Sequence, residues 1–187
     1  SVTFTGVKAM TVSGDNSGNS VEEYGIVANS STVSGDLTSL TVMASGTGAR
    51  ARGIYASNSD VELALSGDLT VEGRNGMADG ITAINSDVTF TGVKAMSVSS
   101  GSGGAYGIQS YGSTVSGDLA AMTVTANGGP QGICASDSGV VNLNAAGSVS
   151  VTSKNSSAYG INISSNKVST INIAKDLTVK GAAGGAG

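Results

Sequence analysis

The sequence predicts an all-β chain wound as a right-handed parallel β-helix, a β-solenoid with three short strands per coil. Three observations predict it. A phrase Gly-Ile-x-(small)-x-x-(Ser/Asn)-x-Val occurs at Gly25, Gly53, Gly80, Gly107, Gly132 and Gly160, in steps of 28, 27, 27, 25 and 28 residues. A fixed period of this length marks a solenoid, an array or a propeller. Within each repeat apolar and polar residues alternate with period two, as on a strand with one buried side. No apolar stripe with helical period is long enough for a helix. Propeller blades need roughly 40 or more residues each, and the dense leucine pattern of leucine-rich repeats is missing. The expectation is about 27 residues per coil, about seven coils, and a rod on the order of 34 Å long at about 4.8 Å per coil.

The first strand carries the column Ile26, Ile54, Ile81, Ile108, Ile133 and Ile161. Two residues on come Ala28, Ala56, Ala83, Ser110, Ala135 and Ile163, which share the inward side. Between them stand Val27, Tyr55, Thr82, Gln109, Cys134 and Asn162, a variable column that should face outward, leaving Cys134 a partly exposed thiol. A corner follows at Ser31, Ser59, Ser86, Ser113, Ser138 and Asn166, where a small hydroxyl or amide can bond neighbouring backbone groups. The second strand opens at Val33, Val61, Val88, Val115, Val140 and Val168. Gly-Asp-Leu at Gly35, Gly67 and Gly117 reads as a turn entering a buried leucine. The third strand repeats an apolar-(Thr/Ser)-Val triplet, from Met10-Thr11-Val12 through Leu177-Thr178-Val179. Loops such as 13–20 and 99–104 follow it and hold most of the length variation.

A longer period lies over the first. Val2 through Met10 returns unchanged as Val88 through Met96, and Ser31 through Leu37 as Ser113 through Leu119. The offsets of 86 and 82 are close to three coils and indicate a duplicated block.

All 187 residues read as a single solenoid segment, 1–187, with no linker. Trp is absent, aromatics are 4%, and Gly numbers 29, a poor stock for a globular core but enough for stacked Ile, Val, Leu and Ala. The chain starts in mid-coil without Met and closes in Gly-Ala-Ala-Gly-Gly-Ala-Gly, so it reads as part of a longer repeat protein. Acidic residues number 13 against 9 basic, with no basic stripe, so nucleic acid is a poor partner. Lys154, Lys167, Lys175 and Lys180 make the last two coils locally basic, which reads first as solubility and second as a binding patch. One cysteine makes no internal disulfide.

Chemistry is scarce in this sequence. There is no histidine, which removes the commonest general base and most zinc sites. No phosphate loop, calcium nonapeptide or other cofactor motif is present, so no catalytic, cofactor or metal residue is assigned. Asp60 and Asp87 share a column one coil apart, with Thr32, Thr114, Gly139 and Lys167 elsewhere in it. Stacked acids can work as an acid/base pair on a sugar or hold a cation, and they also suit a solvated face. Tyr24, Tyr106 and Tyr159 precede their glycines, with Arg52, Asp79 and Gln131 between, and Tyr55 and Tyr111 nearby. Tyr with Arg on a surface can stack on sugars or proteins, so Tyr24, Arg52, Tyr55, Tyr106, Tyr111 and Tyr159 are the candidate recognition residues. The single Thr/Ser column of the third strand falls short of the two rows that an ice-binding array needs.

The phrase (Tyr/x)-Gly-Ile-x-Ala-x-Asn-Ser-x-Val, then Gly-Asp-Leu-Thr-Val and a Gly/Ser/Asn loop, resembles the repeats of bacterial autotransporter adhesin passengers. The resemblance covers essentially the whole chain. It implies secretion to the bacterial outer surface, a structural or adhesive role, and partners that include a second copy of itself or a host glycan or protein. It implies membrane attachment only through an anchor domain outside this sequence. No family catalytic residue can be carried over, so the chain is expected not to be an enzyme. The alternatives are a subunit of an end-to-end extracellular filament and a polysaccharide-cleaving β-helix, as in lyases and phage tailspikes.

Overall fold

A computed structural model describes residues 1–15 and 21–182. Among these residues every regular element is a strand. A partial coil, β1 (Val2–Gly14), comes first. Six coils follow it: β2 (Glu22–Asn29) with β3 (Thr32–Ala44); β4 (Arg50–Ser57), β5 (Asp60–Leu65) and β6 (Leu69–Gly73); and β7 (Met77–Ile84) with β8 (Asp87–Ser100). Then come β9 (Ala105–Tyr111) with β10 (Thr114–Ala126); β11 (Gln131–Ser136), β12 (Val140–Ala145) and β13 (Val149–Ser153); and β14 (Tyr159–Ser164), β15 (Thr170–Ile173) and β16 (Leu177–Lys180). The first strands of the coils form a six-stranded parallel sheet, β14-β11-β9-β7-β4-β2, and the remaining ten strands form the facing sheet. This is a parallel β-solenoid. The loop expectation for 16–20 and the tail at 183–187 lie outside the described residues.

The predicted isoleucine column is a continuous register of the six-stranded sheet. Ile26, Ile54, Ile81, Ile108, Ile133 and Ile161 pair in succession. All but the last are buried, and Ile161, in the final coil, is 39% exposed. The facing sheet supplies Leu40, Leu69, Met96, Met122 and Val149, each at most 1% exposed. No coil holds a core alone; Phe90 of β8, at 0%, is sealed by the coils on either side.

The repeated glycine has a steric cause. A Cβ on Gly107 would lie 2.4 Å from the Gly132 carbonyl oxygen and 2.7 Å from Met122 Sδ. The same clash with the next glycine's oxygen recurs at Gly25, Gly53, Gly80 and Gly132. The backbones of successive coils therefore approach here as only glycine permits.

The expected three strands per coil are separate in the coils of β5/β6, β12/β13 and β15/β16. Elsewhere the second and third run on as single strands of 13 or 14 residues, β1, β3, β8 and β10. Left-handed glycines make that bend without a loop in the first three, at Gly6 (φ 65°), Gly35 (φ 139°) and Gly92 (φ 74°).

The fifth coil departs from the expected valine column. Val115 pairs with Val141, not Val140, and Val141 is fully buried. Asp137 (φ 51°) and Ser138 (φ 66°) are both left-handed, and this corner spends one residue more than the corner at Gly112. Thr114 accordingly pairs with Val140, so Gly139 and Lys167 do not continue the Asp60 column as expected. Val168 is 85% exposed and does not enter the core.

Candidate functional site

The outer face of the six-stranded sheet carries the tyrosine column. Tyr24 pairs with Arg52, Arg52 with Asp79, Asp79 with Tyr106, and Gln131 joins Tyr106 to Tyr159. One position in the phrase, repeated every coil, thus sets aromatic and charged groups side by side about 4.8 Å apart.

Three candidates form one cluster. The Arg52 guanidinium lies 5.2 Å from the Tyr24 ring centroid and 4.8 Å from that of Tyr55. The two rings meet edge to face at 5.6 Å. Arg52 Nη1 donates to the Tyr24 hydroxyl at 2.8 Å, and Nη2 pairs with Glu22 Oε1 at 3.2 Å. The Tyr24 hydroxyl donates to Glu22 Oε2. Burial, then that bond to Glu22, pushes the Tyr24 phenol above its ordinary value.

Beneath the cluster sits a charge that the sequence reading left without a role. Asp79 is wholly buried. Its Oδ2 accepts from Arg50 Nε at 2.6 Å and lies 3.4 Å from Arg52 Nε. Its Oδ1 is buried with no hydrogen-bond partner. Burial raises the Asp79 carboxyl above its usual range, and the two arginines only partly offset it. Glu22 and Arg50 were missed by sequence reasoning. They were findable, because Glu22 and Arg50 pair directly, one coil apart, as opposite charges in one column.

The other candidates are dispersed. Tyr106 and Tyr111 are half-buried on the same face, while Tyr159 stands in the final coil, 44% exposed. The column through Tyr55 was expected to face solvent, yet Thr82, Gln109 and Cys134 are 4%, 3% and 8% exposed. Cys134 is therefore buried rather than partly exposed, and burial pushes its thiol up. Thr82 Oγ1 donates to Gln109 Oε1 at 3.2 Å, so part of this polar layer pairs within itself.

Asp60 and Asp87 do pair in register, both exposed, beside a hollow of about 270 Å³ that Asn85, Ser86 and Gly112 also line. A larger hollow of about 720 Å³ lies at a different corner, the bend between second and third strands, with Lys94, Asp118, Asn144 and Asn172 at its rim. There Asp118 accepts the Gly92 amide and Asn172 donates to Asn144. The acid pair and the larger hollow are not together.

The Thr/Ser column is also more than one row in places. Ser99, Thr125 and Thr152 stand in register two residues beyond Ser97, Thr123 and Ser150. Glu72 and Met43 interrupt that second row in the preceding coils.

Compared with known proteins, the chain matches no family model, and no characterised protein or solved structure is significantly similar to it.

Proposed function

We propose that this chain is a non-enzymatic extracellular β-solenoid of a bacterial surface protein, with a structural and adhesive role. The observation that carries the reading is the Tyr24–Arg52–Tyr55 cluster on the outer face of a continuous parallel sheet. Aromatic rings already braced by a guanidinium lose little side-chain freedom when a partner docks on them, which favours stacking on a host protein or glycan. The stacked coils supply a rigid base, since each strand is bonded on both sides along most of the rod.

The test is binding of the purified chain to host cells and to a glycan and matrix-protein panel, with Tyr24→Ala/Tyr55→Ala as comparison. Binding at least tenfold weaker in the variant is the expected result. Absence of binding to every surface, or equal binding by the variant, overturns the adhesive reading.

The polysaccharide-cleaving alternative keeps one supporting observation, the in-register Asp60 and Asp87. Its test is turnover of an acidic-polysaccharide panel, lost in Asp60→Asn/Asp87→Asn. No turnover by the parent chain removes it.

A further inference from the structure

We propose that the flank of the rod along the bend between second and third strands is a groove that binds a neutral linear glycan, laid along the solenoid axis. Three hollows line up on that bend. The first, of about 240 Å³, is bounded by Gly6, Asp36, Thr38 and Ala64. The second, of about 290 Å³, shares Asp36 and Ala64 with it and reaches Glu62 and Thr91. The third is the hollow of about 720 Å³. It begins at Gly92, next to Thr91, and passes over β8, β10, β12 and β15. The bend recurs in every coil, so the hollows follow one another along the side of the rod at about 4.8 Å per coil. The largest lies within the roughly 300–1,000 Å³ usual for ligand sites.

The groove has an apolar floor and a polar rim. Ala64, Ala120 and Ala146 present exposed methyl groups along it. Asp36, Glu62, Thr91, Lys94, Asp118 and Asn144 stand exposed around them. Two rim groups are already held in place. Asp118 Oδ2 accepts the Gly92 amide at 3.0 Å, and Asn144 Oδ1 accepts from Asn172 Nδ2 at 2.8 Å. Asp118, Asn144 and Asn172 are also successive partners in the strand registers. Outside these bonds, Asp118 keeps Oδ1 as an acceptor and Asn144 keeps Nδ2 as a donor for a ligand. Groups fixed in advance lose little freedom when a ligand meets them.

Three features select the ligand. The main-chain groups of stacked strands point along the axis and pair from coil to coil, so the flank offers a ligand only side chains. An extended peptide finds no main-chain ladder to join there. A glycan carries hydroxyls at its edges and C–H groups on its faces, which match the rim and the floor. Lastly, Asp36, Glu62 and Asp118 outweigh Lys94 at the rim, and like charges turn away an anionic chain. The preferred glycan is therefore neutral, unlike the acidic substrate of the cleavage alternative. Asp60 and Asp87 lie at the other corner, so the groove holds a chain without the acid pair against it. The tyrosine cluster belongs to the six-stranded sheet, so failure of either reading leaves the other standing.

Isothermal titration calorimetry of the 187-residue chain with cellohexaose, maltohexaose, xylohexaose and mannohexaose tests the proposal, with hexagalacturonate as the anionic comparison. At least one neutral chain should bind with Kd below about 1 mM, and more tightly than hexagalacturonate. Ala146→Trp fills the largest hollow from an exposed position and should weaken that binding about tenfold or more. Ser102→Trp, on an exposed loop residue outside the groove, should leave it unchanged. Circular dichroism checks the fold, and Ala120→Trp replaces Ala146→Trp if that variant loses its β signal. No binding of any neutral chain, tighter binding of hexagalacturonate, equal binding by the filled variant, or the same loss in Ser102→Trp overturns the proposal.

Discussion

The hydroxyl oxygen of Ser86 accepts the backbone N–H of Ser59, one coil earlier, at 3.0 Å. The Ser86 hydroxyl hydrogen goes to the Ile84 carbonyl two residues back. Ser59 and Ser113 repeat both bonds, receiving the Ser31 and Ser86 amides and donating to Ser57 and Tyr111. The residue before each of these serines is left-handed: Asn58, Asn85 and Gly112. Each corner thus satisfies an amide of its neighbour that the turn would otherwise strand.

Ser86→Ala leaves the buried Ser59 amide without its acceptor, while the Ile84 carbonyl keeps the Asn58 amide as its donor. An unpaired buried group costs about 1–3 kcal/mol. Urea unfolding should show that loss, with an unchanged slope. Ser102→Ala, on an exposed loop residue, is the control and should change stability by less than about 0.5 kcal/mol.

Gly107→Ala places a methyl group 2.4 Å from the Gly132 oxygen. The neighbour is backbone, so relief requires moving a whole coil. Overpacking of this kind costs about 1–3 kcal/mol or more. Thermal unfolding should show the loss at Gly107. Ala substituted at Gly6, which has nothing within 4 Å, should lose less and only through its left-handed backbone.

Asp79 gives the fold a pH dependence of definite sign. Its carboxyl stands above the ordinary 3.8 because burial disfavours the anion more than Arg50 and Arg52 favour it. The folded chain therefore binds that proton more tightly than the unfolded chain. The stabilisation is fully present below the unfolded value and is lost as pH rises through the folded one. Unfolding free energies of the wild type and Asp79→Asn, taken from pH 3 to pH 7, should differ by an amount that moves against the wild type as pH climbs. A difference that moves the other way would mean the arginine pairs outweigh burial.

Much of the fold was legible in the sequence because a parallel stack turns a column of letters into a column of contacts. The six isoleucines pair as aligned, and Ser59, Ser86 and Ser113 bond neighbouring backbone as their chemistry suggested, whereas Ser138 leaves the column and donates to Asn166. Reading failed where the backbone, not the side chains, sets the count. The bends at Gly6 and Gly92 join two expected strands, and the paired left-handed residues Asp137 and Ser138 shift one register. The candidate surface was half legible. Tyr24 and Arg52 could be aligned, but the alternation that points Gln109 and Cys134 outward says nothing of what covers them, and they are 3% and 8% exposed. Burial of Asp79 depends on the two arginines folding over it.

The shifted register makes a final prediction that separates alignment from structure. On letters alone Val140 and Val168 belong to the core column and Val141 does not. In the fold Val141 is 0% exposed and Val168 is 85% exposed. Fully burying a valine is worth roughly 1.5–3 kcal/mol, and truncation to Ala forfeits much of that. Val141→Ala should therefore lower unfolding free energy by about 1–2 kcal/mol, while Val168→Ala stays within about 0.5 kcal/mol of the parent. Equal losses at both would place Val168 in the core and restore the simple column.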